Sequence, residues 1–330
     1  MKEKSKQTIY ENMVNDVESS NLDDTAKKKM FDNILELKDQ EVNLMITGAT
    51  GCGKSSTINA LFDMEVAKVG VGVDPETMSI SKFNLKNLVL WDSPGLGDGK
   101  EKDIKHSKKI IEKLNEIDNK GNSLIDLVLV ILDGGSRDLG TSYELINKVI
   151  IPNLGENPGK RIIIAINQAD VAMKGRYWDY DNNKPERKLA EFLEEKVKSV
   201  KLRVKEATGV DIEPIYYSAG YKDDDEDQRP YNLTKLLYFI VKNIPVEKRL
   251  AFVDTASKDE DMWKDDDEII DYNKEIKKSF IESVKATASK GAEIGGDIGS
   301  IFGKTGETVG KVVGGVVGAI GGALSSLFRW

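Results

Sequence analysis

The sequence predicts an α/β fold, a doubly wound, mostly parallel sheet with helices on both faces, and three observations predict it. Residues 42–47 read as a buried strand that runs into Gly48-Ala-Thr-Gly-Cys-Gly-Lys-Ser55 and then into a helix opening at 55–62. Leu127-Val-Leu-Val-Ile-Leu132 and Ile162-Ile-Ile-Ala-Ile166 are nearly continuous apolar runs, the pattern of strands buried on both faces. Between residues 41 and 245 such runs alternate with amphipathic stretches.

In chain order, residues 1–40 are polar and helix-prone, with a break at Asn21-Leu-Asp-Asp24. Met30, Ile34 and Leu37 then recur at helical spacing, so a helix over 25–37 is expected to pack on the domain. Further strands are expected at 79–84, 86–91, 124–132, 161–166 and 213–217, and helices around 101–118, 140–150, 185–207 and 231–243. Pro245 closes this domain; 246–275 reads as an acidic linker or helix, and its strongly acidic part, 254–271 with Asp265-Asp-Asp-Glu268, as a solvated linker or helix face. Residues 276–330 form a different tail. Its glycines at 291, 295, 299 and 303, then 306, 310, 314, 318 and 322, step by four, which aligns them on one helix face.

Composition narrows the function. A 39% apolar, 32% charged chain of 330 residues has a substantial core and a soluble surface. A net charge of −8 argues against general nucleic-acid binding. The single cysteine, Cys52, rules out an internal disulfide framework, and a small loop residue is the simpler reading than a redox group. With one histidine, His106, a histidine triad or multi-histidine metal site is hard to build. The first residues lack an apolar signal core, so a cytoplasmic location is expected.

The loop at 48–55 fits G-x-x-x-x-G-K-[ST] at every fixed position, in the strand–loop–helix context that gives the pattern meaning. Backbone N–H groups around Gly48, Gly51, Cys52, Gly53, Lys54, Ser55 and Ser56 would cradle a polyphosphate at the positive end of a helix dipole. Lys54 would reach the β- and γ-phosphates, and the Ser55 hydroxyl would join Mg²⁺. Four further segments follow in the order a guanine-nucleotide domain requires. At the end of a strand, Asp92-Ser-Pro-Gly95 offers Asp92 to a metal-bound water and the Gly95 N–H to the γ-phosphate. Asn167-Gln-Ala-Asp170 offers a carboxylate, Asp170, that accepts both N1–H and the exocyclic amine of guanine, with Asn167 tying the loop to the phosphate loop. Gln168 stands where a lysine is usual, which removes a stem and a cation from above the base. Ser218-Ala-Gly220 would bring the Ala219 N–H to guanine O6. Thr77 is the candidate for a second hydroxyl on Mg²⁺, an ordinary strand-start threonine being the alternative, and Gly70 and Gly72 give its loop freedom.

These motifs resemble the P-loop GTPases of the Era/septin-like branch, in particular the bacterial 50S-ribosome-binding GTPase-like group. The residues that carry the resemblance include Gly48-Ala-Thr-Gly-Cys-Gly-Lys-Ser-Ser-Thr-Ile-Asn-Ala-Leu-Phe62, Asp92-Ser-Pro-Gly-Leu-Gly-Asp-Gly99 and the later Trp178-Asp179 and Pro185. The similarity covers about 40–245. It implies a Ras-like G domain that binds GTP or GDP with Mg²⁺ and hydrolyses GTP, Lys54, Thr77 and Gly95 serving the reaction and Ser55, Thr77 and Asp92 the metal. Leu96 occupies the place of the glutamine that orients water in Ras-like proteins, so slow intrinsic hydrolysis is expected, stimulated by a second protomer facing the nucleotide or by a partner. Asp98, Lys100 and Arg137 are candidate polar contributors.

The tail suggests membrane engagement through 291–330, peripheral or as a tail anchor. It carries seven Lys/Arg against four Asp/Glu from 276 onward, and 17 uncharged residues from Val312 to Phe328. That stretch is at the short limit for crossing a bilayer, and the competing reading is a self-associating tail packed on the domain. The expected function is a GTP-dependent switch with a tail acting on membrane or partner. A ribosome-associated assembly GTPase and a nucleotide-binding scaffold with little turnover are the alternatives.

Overall fold

The computed structural model describes residues 9–19, 23–64, 80–97, 99–222, 227–253 and 255–293. Thr77, Gly70, Gly72, Asp98 and nearly all of the glycine-spaced tail lie outside the described residues.

A six-stranded sheet forms the centre, in the order β2-β3-β1-β4-β5-β8. Its strands are β1 (Val42–Gly48), β2 (Ser81–Leu85), β3 (Leu88–Asp92), β4 (Leu127–Asp133), β5 (Ile162–Asn167) and β8 (Ile215–Tyr216). All neighbours are parallel except β2 with β3. Small antiparallel pairs, β6 (Trp178–Asp179) with β7 (Lys184–Pro185) and β9 (Tyr221–Lys222) with β10 (Asp227–Gln228), decorate the loops. The expected strands sit within a few residues of these, the main shift being that Lys86-Asn87 makes the β2–β3 turn instead of opening β3.

Both faces of the sheet are covered, and the strand sequences alternate between two cores. Val42, Leu44 and Ile46 of β1 and Leu127, Leu129 and Ile131 of β4 join one core. Met45, Val128, Val130 and Leu132 join the other. This period of two, apolar on both sides, is why those strands read as unbroken apolar runs.

The first core is covered by α1 (Ile9–Ser19), α2 (Asp24–Lys38), α3 (Lys54–Phe62), α7 (Leu233–Asn243) and α8 (Tyr272–Glu293). Ile34 and Leu37 of α2 are buried there and Met30 packs beside them. The second core is covered by α4 (Lys100–Leu114), by α5 (Gly140–Glu144) with its π-helical continuation Leu145–Ile150, and by α6 (Arg187–Thr208). Helix α4 stops short of the expected 118 because the Asn115 amide caps the Ile111 carbonyl at 2.9 Å, and Asp118 then organises a turn onto Asn122.

Residues 246–275 are not a solvated linker. Leu250, Phe252, Val253, Ala256 and Trp263 are buried in the first core with Ile276 and Phe280 of α8. Two acids of this stretch pair with cations on other elements. Asp265 meets Arg229 at 2.9 Å, and Asp267 meets Lys235 at 2.6 Å and the Tyr272 hydroxyl at 2.7 Å. The segment also holds the far end of α3: the Ser257 N–H donates to the Leu61 carbonyl at 2.8 Å, and the Lys258 N–H donates to the Asp63 carboxylate at 2.8 Å.

Candidate functional site

The sequence-predicted loops converge at the carboxyl ends of β1, β3, β5 and β8, where an open parallel sheet leaves backbone groups free for a ligand. The register of β1 with β3 sets Ile46 beside Asp92, so the acidic strand end lies next to the start of the glycine loop.

The loop from Gly48 to Gly53 needs its glycines. Gly51 and Gly53 have φ of 80° and 87°, the left-handed region. A Cβ on Gly53 would lie 2.1 Å from the Asn167 amide nitrogen, and one on Gly48 would lie 2.3 Å from the Ile131 carbonyl oxygen. Gly53 caps α3 with no side-chain bond, so no capping side chain takes up the first N–H groups of the helix. Lys54 Nζ donates to the carbonyls of Gly48 and Ala49 at 3.2 and 3.1 Å, which stretches the ammonium across the loop. Ser55 and Ser56 are exposed. Thr57, one turn in, is spent on the Gly53 carbonyl at 2.8 Å and on the Tyr217 hydroxyl at 2.6 Å.

Cys52 is fully buried, and its carbonyl accepts the Asn167 amide at 3.0 Å. Its N–H turns back to the Ala49 carbonyl at 3.3 Å, so this N–H is engaged within the loop instead of standing open in the expected cradle. Burial pushes the thiol above its ordinary range despite the Lys54 charge, the environment of an inert cysteine.

Asp92 ends β3 largely buried, and its Oδ1 has no hydrogen-bond partner among the described residues. Burial pushes its pKa up to about 6, with the Lys54 charge pulling the other way. An orphaned carboxylate oxygen near the Lys54 end of the loop, and an exposed Ser55 hydroxyl at the start of α3, are donors that suit a hard divalent cation of the Mg²⁺ type, which takes one or two protein oxygens and fills its shell with phosphate and water. Among the described residues no cluster of three His, Cys, Asp or Glu forms a closed metal site.

The segment after Asp92 docks on the glycine loop. The Thr50 N–H donates to the Leu96 carbonyl at 3.0 Å, and a Cβ on Gly95 would meet Thr50 Oγ1 at 2.4 Å. Leu96 is buried in the second core, so its side chain points away from any attacking water. His106 of α4, also buried, brings Nδ1 to 3.2 Å from the Gly95 carbonyl. Sequence reading gave this histidine no role; its signal was a lone histidine 11 positions beyond Gly95.

The base-side loops are joined by Asn167. Its amide donates to Cys52, and its Oδ1 accepts the Ala219 N–H at 2.9 Å. The Ala219 N–H is thus already engaged, and guanine O6 would share it in a three-centre bond. Gln168, at φ 60°, donates to the Gly51 carbonyl at 3.0 Å. It therefore braces the phosphate loop, a role its sequence position did not announce. Asp170 and Ser218 are buried at the same loops, with Ser218 Oγ accepting the Gly220 N–H at 3.3 Å. Lys100 opens α4, and Arg137 lies in the exposed loop after β4.

Comparison with known proteins finds partial similarities. Residues 43–168 match the family model described as 50S ribosome-binding GTPase. YkfA of Escherichia coli (strain K12) is 28% identical over 151 residues, which is 44% of this chain and 48% of that protein. Interferon-inducible GTPase 1 of Mus musculus is 38% identical over 72 residues, 20% of this chain and 17% of that protein. The solved structure of Toc33 from Arabidopsis thaliana in complex with GDP and Mg²⁺ aligns at a TM-score of 0.40 with 15% identity, over 73% of this chain and 96% of that one. The chain spans about half the length of YkfA and less of the murine relative.

Proposed function

Residues 43–168 form a domain of the 50S ribosome-binding GTPase family, and from that premise we propose that the chain is a Mg²⁺-dependent GTP-hydrolysing switch. The observation that carries the reading is Asn167, which bonds the phosphate loop with one end of its amide and the Ala219 loop with the other. It thereby sets base recognition and phosphate binding in one rigid site.

In this reading the N–H groups at the start of α3 and the Lys54 ammonium hold the β- and γ-phosphates. Bound Mg²⁺ supplies charge neutralisation of the phosphate oxygens. Ser55 and Asp92 hold it directly or through water, and Thr77 is the second hydroxyl. Asp170 accepts the two guanine donors. Gly95 reads the γ-phosphate, and His106 and Thr50 fix the peptide units on its far side.

Leu96 offers no group to orient water, so the isolated chain turns over slowly. Acceleration comes from a second copy facing the nucleotide or from a partner protein, with Lys100, Asp98 and Arg137 as candidate polar contributors. Initial rates of GTP hydrolysis per chain, measured from 0.1 to 50 µM protein, test this (the range spans roughly micromolar association). A rate per chain that rises with concentration supports stimulation by dimerisation. A fast, concentration-independent rate refutes the slow-switch reading, and no turnover under any condition leaves a nucleotide-binding scaffold.

Action of 291–330 on a membrane is part of the proposal, supported by its glycine spacing and by the basic excess of the wider segment from 276 onward, whose surplus of Lys lies before residue 291. Among the described residues no helix is long and apolar enough to cross a membrane. Liposome flotation of the full chain against one ending at Glu293, each with GDP or a non-hydrolysable GTP analogue, tests it. Flotation of neither makes the tail a protein-binding element. Ribosome co-sedimentation tests the assembly-factor alternative.

A further inference from the structure

A cavity of about 970 Å³ lies beside the nucleotide site, between the loop after β4, the 173–177 loop and α6, and shares no lining residue with the phosphate loop. Six cationic side chains line it, Arg137, Lys174, Arg176, Lys188, Lys196 and Arg203, against two carboxylates, Asp138 and Glu195. That is a formal +4 in a chain whose net charge is −8. Such a concentration of one sign in a concave site focuses its field on whatever enters.

Half of these cations have structural work. Lys196 Nζ donates to the carbonyls of Asp133, Gly134 and Ser136 at 3.2, 2.6 and 2.8 Å, pinning the cavity floor. Lys188 lies 4.7 Å over the Tyr177 ring, and Arg203 lies 5.4 Å over Tyr143. Arg137, Lys174 and Arg176 are exposed and make no hydrogen bond, ion pair or ring contact among the described residues. The backbone that presents two of them is unusual: Met173, Lys174 and Tyr177 have φ of 53°, 64° and 67°. Side chains with a Cβ hold that region at a cost, and such strain concentrates at binding sites.

We propose that this cavity is a second anion site, which takes a small ligand carrying several phosphate groups. Its volume is that of a small-molecule pocket. Free guanidinium groups match phosphate oxygens in pairs, and Lys174 adds a point charge. The site is wired to the base-reading loop. The Gly134 N–H at its floor donates to the Asn167 carbonyl at 2.7 Å, and a Cβ on Gly134 would come within 2.5 Å of that oxygen. Occupancy of the cavity is therefore expected to alter guanine-nucleotide affinity, and the reverse by the same factor.

The test uses the full chain saturated with GDP and Mg²⁺, so that the phosphate loop is filled, titrated calorimetrically with inorganic tripolyphosphate in excess Mg²⁺. One site with a micromolar dissociation constant is expected, weakening on going from 50 to 250 mM salt, conditions across which phosphate contacts lose roughly tenfold or more. Lys174→Glu with Arg176→Glu is expected to weaken tripolyphosphate at least tenfold and to leave direct GDP binding by the empty chain within a few-fold. Lys54→Ala, which damages the phosphate loop, keeps the tripolyphosphate site, so failure of the GTPase reading does not carry this one with it. ATP in place of tripolyphosphate separates sources: tighter binding names a nucleotide, weaker binding an inorganic or non-nucleoside phosphate. The proposal is overturned if the GDP-filled chain takes up no tripolyphosphate, if the double variant binds it unchanged, or if a hexaglutamate peptide displaces it at equal concentration, which would make the cavity an acidic-peptide site.

Discussion

Replacing Asp92 by Asn is expected to stabilise the ligand-free protein while abolishing its response to Mg²⁺. The carboxyl is largely buried, Oδ1 is orphaned, and its pKa rises from 3.8 to about 6. Because the folded value lies above the unfolded one, the native state binds more protons between pH 4 and 6, and stability falls as pH rises through that window. The shift corresponds to about 3 kcal/mol at neutral pH, an upper bound because loop relaxation and water entry lower it. Asn removes the charge at nearly constant shape. Urea unfolding at pH 7.5, without nucleotide or divalent cation, is expected to show a gain of about 1–3 kcal/mol at unchanged m-value. The gain should shrink toward zero near pH 4, where the native carboxyl is protonated. GDP with Mg²⁺ should then stabilise the native protein more than the variant. A native protein more stable than Asp92→Asn at pH 7.5, or a gap that persists at pH 4, would refute the reasoning that this carboxylate is held ready for a cation.

Other expectations follow from single contacts. Asn167→Ala removes two buried hydrogen bonds and should cost about 2–4 kcal/mol of stability in urea titration and at least tenfold in GDP affinity by fluorescence; an effect on stability without one on GDP would separate the loops from the ligand. Gly53→Ala places a methyl where the Asn167 amide sits, in a left-handed backbone, and should eliminate measurable nucleotide binding in equilibrium dialysis. Leu96→Gln buries an amide in the second core, so it should destabilise by about 1–3 kcal/mol and not raise the single-turnover rate; a large acceleration would mean the side chain can swing out to water. His106→Ala should free the Gly95 carbonyl and reduce the preference for GTP analogue over GDP in competition binding, while Asp126 and Lys248, paired at 2.8 Å on the opposite side, serve as a structural control that leaves that ratio unchanged.

The parts legible in the sequence were those whose residue types have few alternatives. Gly48, Gly53 and Lys54 announce a phosphate loop because only glycine permits those approaches, and the apolar runs of β4 and β5 announce strands buried on both faces. What escaped reading is long-range. Residues 246–275 looked solvated because acids dominate the composition, yet Phe252 and Trp263 fill the core while Asp265 and Asp267 find cations on distant elements. Gln168 looked like a loss because its bond to the Gly51 carbonyl spans 117 positions. His106 was invisible for a similar reason, since a lone histidine on an amphipathic helix is ordinarily a packed core residue. The six cations of the second cavity are scattered from 137 to 203, and no local charge run marks them.

The integration of 246–293 into the first core bears on how the chain is made. Tyr10 and Val17 of α1 and Ile34 and Leu37 of α2 share that core with Ile276 and Phe280 of α8, so its walls come from both ends of the described chain. During synthesis the glycine loop and all six strands emerge long before the last wall does. Until residues 246–280 or so have left the ribosome, that core lacks Leu250, Phe252, Trp263, Ile276 and Phe280. Non-local closure of this kind slows folding and lengthens the exposure of apolar surface. A nascent chain in that interval exposes part of an apolar core, and a ribosome stalled before residue 246 would carry an incompletely covered sheet.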